Sequence, residues 1–216
     1  MSDPPTIVLL HGLARTDRSM RRLRARLERA GHPTWARSYP SRRLPVAALA
    51  RTVADWIRAD VGAGPVVGVT HSLGGIVVRH MRDLLPWRGV VMLAPPNAGS
   101  RIAARLRHHP WFRWFYGPAG QELADPGAWP PPPAPFAVIA GTRRLAAGNP
   151  TSWMTRALTL FPRDVPNDGT VAVAETRLPG MRDFATVDAS HTWIMNDAHA
   201  VRLVLAFLAG ERFGAA

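Results

Sequence analysis

Residues Val69–Gly75 read V-T-H-S-L-G-G, and the fold turns on how this stretch is taken. A polar serine stands between two apolar runs, Val66–Val69 and Ile76–Val78, and two glycines follow it closely. The pattern predicts a buried strand over 66–70, a very tight turn at Ser72 and a helix over 73–85 ended by Pro86. Such a turn holds the serine in a strained backbone conformation and lifts its hydroxyl above the carboxyl end of the strand. Gly74 removes the side chain that would collide with the strand, and Gly75 lets the helix lie close to the sheet. The first amides of that helix stay free and face developing negative charge. Ser72 is therefore a candidate nucleophile.

Working outward, short apolar strands alternate with helical stretches. Strands are predicted over 7–10, 35–38, 66–70, 90–94, 136–140 and 183–187. Helices are predicted over 17–30, 45–60, 73–85 and 198–209. In the first helix Met20, Leu23, Leu27 and Ala30 share one face, which leaves its many arginines solvated, and Asp17 is read as its N-cap. In the second, Val46, Leu49, Val53, Trp56 and Ile57 share a face. Strands that are apolar throughout, each followed by a helix, imply a mostly parallel sheet of roughly six strands covered on both faces. The whole chain, 1–216, reads as one α/β domain. Residues 100–135 break the rhythm. They hold H108-H-P-W-F-R-W-F-Y116 and a proline run ending at Pro135, and a connection of this length implies a lid or cap-like insertion. The proline run reads as a stiff return from that insertion to the next strand, with a P-x-x-P ligand for a partner domain as the alternative.

The chain is 47% hydrophobic and 19% charged, which is globular rather than disordered. The formal net charge is +12, and every basic residue other than histidine is arginine. These arginines are scattered and build no nucleic-acid module, so nucleic acid is not an expected partner, while peripheral contact with an anionic membrane stays open. With no cysteine there is no disulfide and no thiolate nucleophile. No signal-peptide pattern and no run near the ~18 apolar residues of a membrane span is present, so a cytoplasmic location is expected.

T70-H-S-L-G-G75 resembles the nucleophile elbow of the α/β-hydrolase superfamily, with Thr70 in place of the first glycine of G-x-S-x-G. L9-L-H-G-L-A-R-T-D17 resembles the oxyanion loop of bacterial lipases and esterases. V165-P-N-D-G-T-V-A-V173 resembles the segment that carries their acid, and D188-A-S-H-T-W-I-M195 the segment that carries their histidine. The resemblance implies a compact lipase- or esterase-like serine hydrolase with Ser72, Asp168 and His191 as triad, in that chain order. It implies the Leu13 and Leu73 amides as oxyanion donors. Asp164 and Asp188 remain rivals for the acid, and His11 is read as a loop-stabilising residue. His71 is read as structural, and the pair His108 and His109 on the insertion, without nearby acidic partners, as no metal site. No cofactor is implied, and Trp193 stands where calcium-binding relatives place an aspartate, so no metal is expected. Trp111, Phe112, Trp114, Phe115, Trp193 and Ile194 are candidate walls of the pocket for a small-molecule or lipid ester. Acyl transfer, thioester or amide cleavage by the same groups, and a non-catalytic binding scaffold, are the alternatives.

Overall fold

Six parallel strands form the backbone of the molecule: β1 (Thr6–Leu10), β2 (Thr34–Ala36), β3 (Val66–His71), β4 (Trp87–Leu93), β5 (Phe136–Gly141) and β6 (Asp183–Val187). Their order across the sheet is β2-β1-β3-β4-β5-β6, and every pairing is parallel. These relations come from a computed structural model that describes residues 4–127, 129–145, 161–162 and 164–215. The chain runs from β1 to the edge at β2 and returns to β3 on the other side of β1. That reversal opens a crevice beyond the carboxyl ends of β1 and β3, where α/β sheets place their sites.

Alternation along each strand divides the core in two. Val8 and Leu10 face the layer formed by α2 (Val46–Val61) and α3 (Leu73–His80), whereas Ile7 and Leu9 face α1 (Arg21–Arg29) and the C-terminal helix. Met20, Leu23 and Leu27 are wholly buried on the α1 side, each contributing about 1.5–3 kcal/mol of burial. On α2 the buried residues are Val46, Leu49, Ala50, Val53, Ala54 and Ile57. Trp56, expected on that face, sits at its margin with the Arg37 guanidinium 4.1 Å above its ring.

The predicted element order holds, with shifted ends. The first helical stretch is a 3-10 turn over Asp17–Met20 followed by α1. Asp17 does not cap it, because its carboxylate takes the hydroxyl of Ser38 instead. Helix α3 stops at His80 rather than 85. The Met81 carbonyl just past its end accepts the Leu84 N–H at 3.0 Å and the indole N–H of Trp87 at 2.9 Å, and Trp87 opens β4 earlier than predicted.

Residues 100–135 fold as α4 (Arg101–Leu106) and α5 (Pro110–Glu122), then an extended proline run into β5. Ser100 caps α4 through the Ala103 N–H, and Gly117, at φ 63°, kinks α5. Several contacts moor the insertion. The Glu122 carboxylate accepts the Val46 N–H at 3.2 Å at the start of α2, where the helix dipole favours an anion. Buried Arg79 donates to the carbonyls of Trp129 and Pro130 at 3.1 and 2.6 Å. Arg42 donates to the Phe115 carbonyl. After a short helix α6 (Val173–Thr176) and β6, helix α7 (Ala198–Leu208) closes the chain, capped by the Asp197 side chain through the Ala200 N–H at 2.9 Å. Among the described residues no helix is long and apolar enough to cross a membrane.

Candidate active site

Ser72 sits between β3 and α3 with φ 52° and ψ −121°, a backbone state that L residues rarely adopt. Two things hold it there. Its N–H donates to the Leu93 carbonyl at 2.9 Å, and the Gly75 N–H donates to its own carbonyl at 2.9 Å. Gly74 is obligatory, since a Cβ there would lie 2.6 Å from the Leu10 carbonyl oxygen, a backbone atom that cannot rotate away. A Cβ at Gly75 would meet Met92 and Pro95, each at 2.9 Å, which accounts for the close seat of α3 on β4. Thr70 is fully buried and its hydroxyl finds no partner among the described residues. It fills the position by its size, not by a polar contact.

Three segments far apart in the chain meet at this turn. The Ser72 Oγ lies 2.9 Å from His191 Nε2, and His191 Nδ1 lies 2.7 Å from Asp168 Oδ2. The other Asp168 oxygen accepts the N–H groups of Thr170 and Val171 at 2.9 and 2.7 Å. Asp168 is 1% exposed, so its carboxylate is held by hydrogen bonds in place of water. Because a carboxylate only accepts, Nδ1 carries the ring proton, and Nε2 is left with a lone pair toward the serine hydroxyl. The rivals for the acid lie elsewhere. Asp188 is exposed and pairs with Arg143 at 2.8 Å, and Asp164 is exposed.

His71 takes a larger part in the site than its sequence context shows. It is fully buried, and its Nε2 donates to the His191 carbonyl at 2.9 Å. The two rings lie 4.9 Å apart. Burial, aided by the electrostatic influence of the nearby His191 and of the Arg15 charge, holds the His71 ring well below the usual imidazole range. It is a neutral prop under the loop that carries His191. Its only sequence signal is adjacency to Ser72.

On the opposite side of the turn, the loop after β1 is fastened by residues 38–41. His11 Nδ1 donates to the Gly12 carbonyl at 2.9 Å, and its Nε2 accepts the Tyr39 N–H at 3.1 Å. The Tyr39 hydroxyl donates to the His11 carbonyl, and the two rings stack at 4.0 Å. Burial pushes the His11 pKa down from 6.5 to about 4, in keeping with a neutral, loop-holding ring. Ala14, at φ 56°, is pinned by its N–H to Ser41 Oγ at 3.0 Å. The Leu13 and Leu73 amides have no hydrogen-bond partner among the described residues. Leu13 lines the cleft, while the Leu73 side chain is buried and its amide opens α3 directly after Ser72.

Ser72 and His191 open into a cleft of about 930 Å³. The insertion forms one of its walls, through Ile102, Phe112, Phe115, Tyr116 and Leu123, and Trp193 stands beside His191. Of the six residues expected to line the pocket, Phe112, Phe115 and Trp193 do so. Trp111 and Trp114 do not, being 47% and 80% exposed on the outer face of α5. Ile194 does not either: it is wholly buried in the core on the α1 and α7 side of the sheet. Tyr116, one turn on from Phe112, lines the cleft as well.

Among curated protein sequences, none matches this chain. Solved structures do share its fold. The mature Bacillus licheniformis lipase BlEst2 superposes with a TM-score of 0.72 at 19% identity, covering 96% of this chain and 94% of that one. A thermophilic esterase from Thermogutta terrifontis gives 0.61 at 15% identity, over 95% and 90%. The metagenomic carboxyl esterase MGS0156 gives 0.67 at 20% identity, over 90% and 66%. The sequence profile of the alpha/beta hydrolase family matches residues 7–212, nearly the full length, and the chain belongs to that family.

Proposed function

We propose that the protein is a serine hydrolase that cleaves carboxylic esters, small-molecule or lipid, through an acyl-enzyme on Ser72. One observation carries this reading: an unbroken chain of hydrogen bonds from the Ser72 hydroxyl through His191 to buried Asp168, at the edge of a largely apolar cleft. The solved structures named lipase, esterase and carboxyl esterase, to which the fold is similar, support the same reaction class.

The steps follow from the tautomer. Ser72 Oγ attacks the ester carbonyl while its proton passes to His191 Nε2. Asp168 keeps the ring oriented and stabilises the imidazolium. The Leu13 and Leu73 amides take the oxyanion, and loss of one such donor costs about 10²–10³ in turnover. The tetrahedral intermediate collapses, and the departing alkoxide takes the proton from Nε2. Water then gives its proton to Nε2 as its oxygen attacks the acyl carbon. Collapse releases the acid and returns the proton to Ser72. The insertion acts as a wall, or lid, over the acyl side, with Phe112, Phe115 and Trp193 in contact with the apolar part of the substrate.

The test is labelling by a fluorophosphonate probe, together with hydrolysis of p-nitrophenyl esters from acetyl to palmitoyl. Wild-type protein labels and turns over esters, and Ser72→Ala does neither. Equal labelling of Ser72→Ala would remove the proposal.

A further inference from the structure

The wall of the cleft formed by the loop after β1 is not apolar. Arg15, Thr16, Arg18 and Ser19 are part of it, and no aspartate or glutamate is among the described residues that line the cleft. Arg15 is half-buried and Arg18 exposed. None of the salt bridges among the described residues includes either guanidinium. Their acidic neighbour in the chain, Asp17, is engaged by the Ser38 hydroxyl.

The position of Arg15 is fixed by the same loop that carries the Leu13 amide. Its N–H donates to the Gly12 carbonyl at 3.2 Å, and the preceding Ala14 is pinned to Ser41. Its charge reaches the site: it is one of the influences that keep His71 unprotonated, and the His71 ring is 4.9 Å from that of His191. Burial disfavours the charged form of Arg15, yet a guanidinium stays charged at any working pH. A partly desolvated cation without a counterion is costly until an anion arrives. An arginine-rich composition explains arginines on the surface. It does not explain an unpaired one lowered into the cleft beside the triad.

We infer that Arg15 and Arg18 form a subsite for anionic oxygens, so that the preferred substrates are esters bearing a carboxylate or phosphate close to the scissile carbonyl. The inference rests on the reading of Ser72 as nucleophile for the word substrate, but not for the binding itself. Thr16 adds a hydroxyl on the same wall, and planar guanidinium groups match both kinds of anion.

The experiment measures binding in the Ser72→Ala protein, where no turnover occurs. Phenylacetate and phenyl phosphate are titrated calorimetrically against neutral phenylacetamide. Both anions should bind about ten- to a hundredfold more tightly than the amide, as charge-assisted hydrogen bonds warrant, and the tighter of the two identifies the anion class. Arg15→Gln with Arg18→Gln should abolish the preference. Arg21→Gln with Arg22→Gln, which removes the same charge from the exposed face of α1, should keep it. Equal binding of anion and amide would overturn the inference, and so would a preference lost equally in both pairs. If Arg15→Gln does not fold, Arg18→Gln and Arg15→Lys replace it: the first should weaken the preference, the second retain it, and the reverse pattern overturns the subsite. Hydrolysis of neutral p-nitrophenyl butyrate by the wild type reports separately on the nucleophile, so either reading can fall alone.

Discussion

His11 makes a quantitative prediction about acid stability. Its ring is wholly buried, with Nδ1–H on the Gly12 carbonyl and Nε2 accepting the Tyr39 N–H. Protonation of Nε2 would set two donors against each other, and burial lowers the pKa from 6.5 to about 4. The unfolded chain binds its proton near pH 6.5, and the folded chain does not until about pH 4. Between these values the unfolded state holds more protons, so stability rises with pH across the window. The contribution is complete above pH 6.5 and is lost as pH falls to about 4. At about 1.4 kcal/mol per pH unit, that amounts to about 3 kcal/mol. Urea unfolding followed by tryptophan fluorescence, at a series of pH values from 7 to 4, measures it against His11→Gln. Glutamine can still accept the Tyr39 N–H but does not titrate. The variant starts less stable at pH 7, and the gap should close by about 3 kcal/mol as the pH falls. A gap that stays constant with pH would refute the reasoning. His71, also lowered by burial, acts in the same direction in both proteins and cancels in the comparison.

Three further outcomes follow from the site. Gly74→Ala places a Cβ 2.6 Å from the Leu10 carbonyl oxygen and should cost about 1–3 kcal/mol, read as a lower melting temperature with loss of esterase activity; an unchanged melt would count against the tight turn. Asp168→Asn should lower kcat by about 10⁴ by upsetting the His191 tautomer, measured on p-nitrophenyl butyrate, and a loss under tenfold would point to another acid. Phe112→Ala, at a position 3% exposed, should cost about 3–5 kcal/mol and shift the chain-length profile, whereas Trp114→Ala, at 80% exposure, should stay within about 0.5 kcal/mol and leave the profile unchanged; a matched response of the two would undo the assignment of the cleft wall.

The strand–turn–helix at Ser72 was legible because its constraint is local. A strained residue between a parallel strand and a helix needs small neighbours whatever surrounds it, and Gly74 and Gly75 declare that need in the sequence. The sheet was legible for the same reason, since strands covered on both faces are apolar throughout. The pocket is not local, and only Phe112, Phe115 and Trp193 of the six expected residues line the cleft. Five aromatics in α5 look alike in composition, but the helical period splits them: Phe112, Phe115 and Tyr116 turn inward, Trp111 and Trp114 outward. Which face is inner depends on where the insertion is moored, and the mooring runs through Glu122, Arg42 and Arg79 to distant segments. Ile194 failed similarly, because the 3-10 turn over Ile194–Asn196 directs it into the core while Trp193, its neighbour, faces the cleft.

His71 and Arg15 show the same limit on the chemical side. Nothing beside either residue in the chain indicates its role, because that role is set by contacts made across the fold. His71 meets the His191 carbonyl across 120 positions of sequence. Arg15 matters because the returning loop of residues 38–41 fixes the backbone that presents it. An arginine in a chain with 27 arginines carries no information as a letter. It acquires meaning only when the fold lowers it into a cleft whose described lining holds no acid, and the anion subsite inferred from it then says more about the substrate than the triad does, since the triad would serve any acyl group.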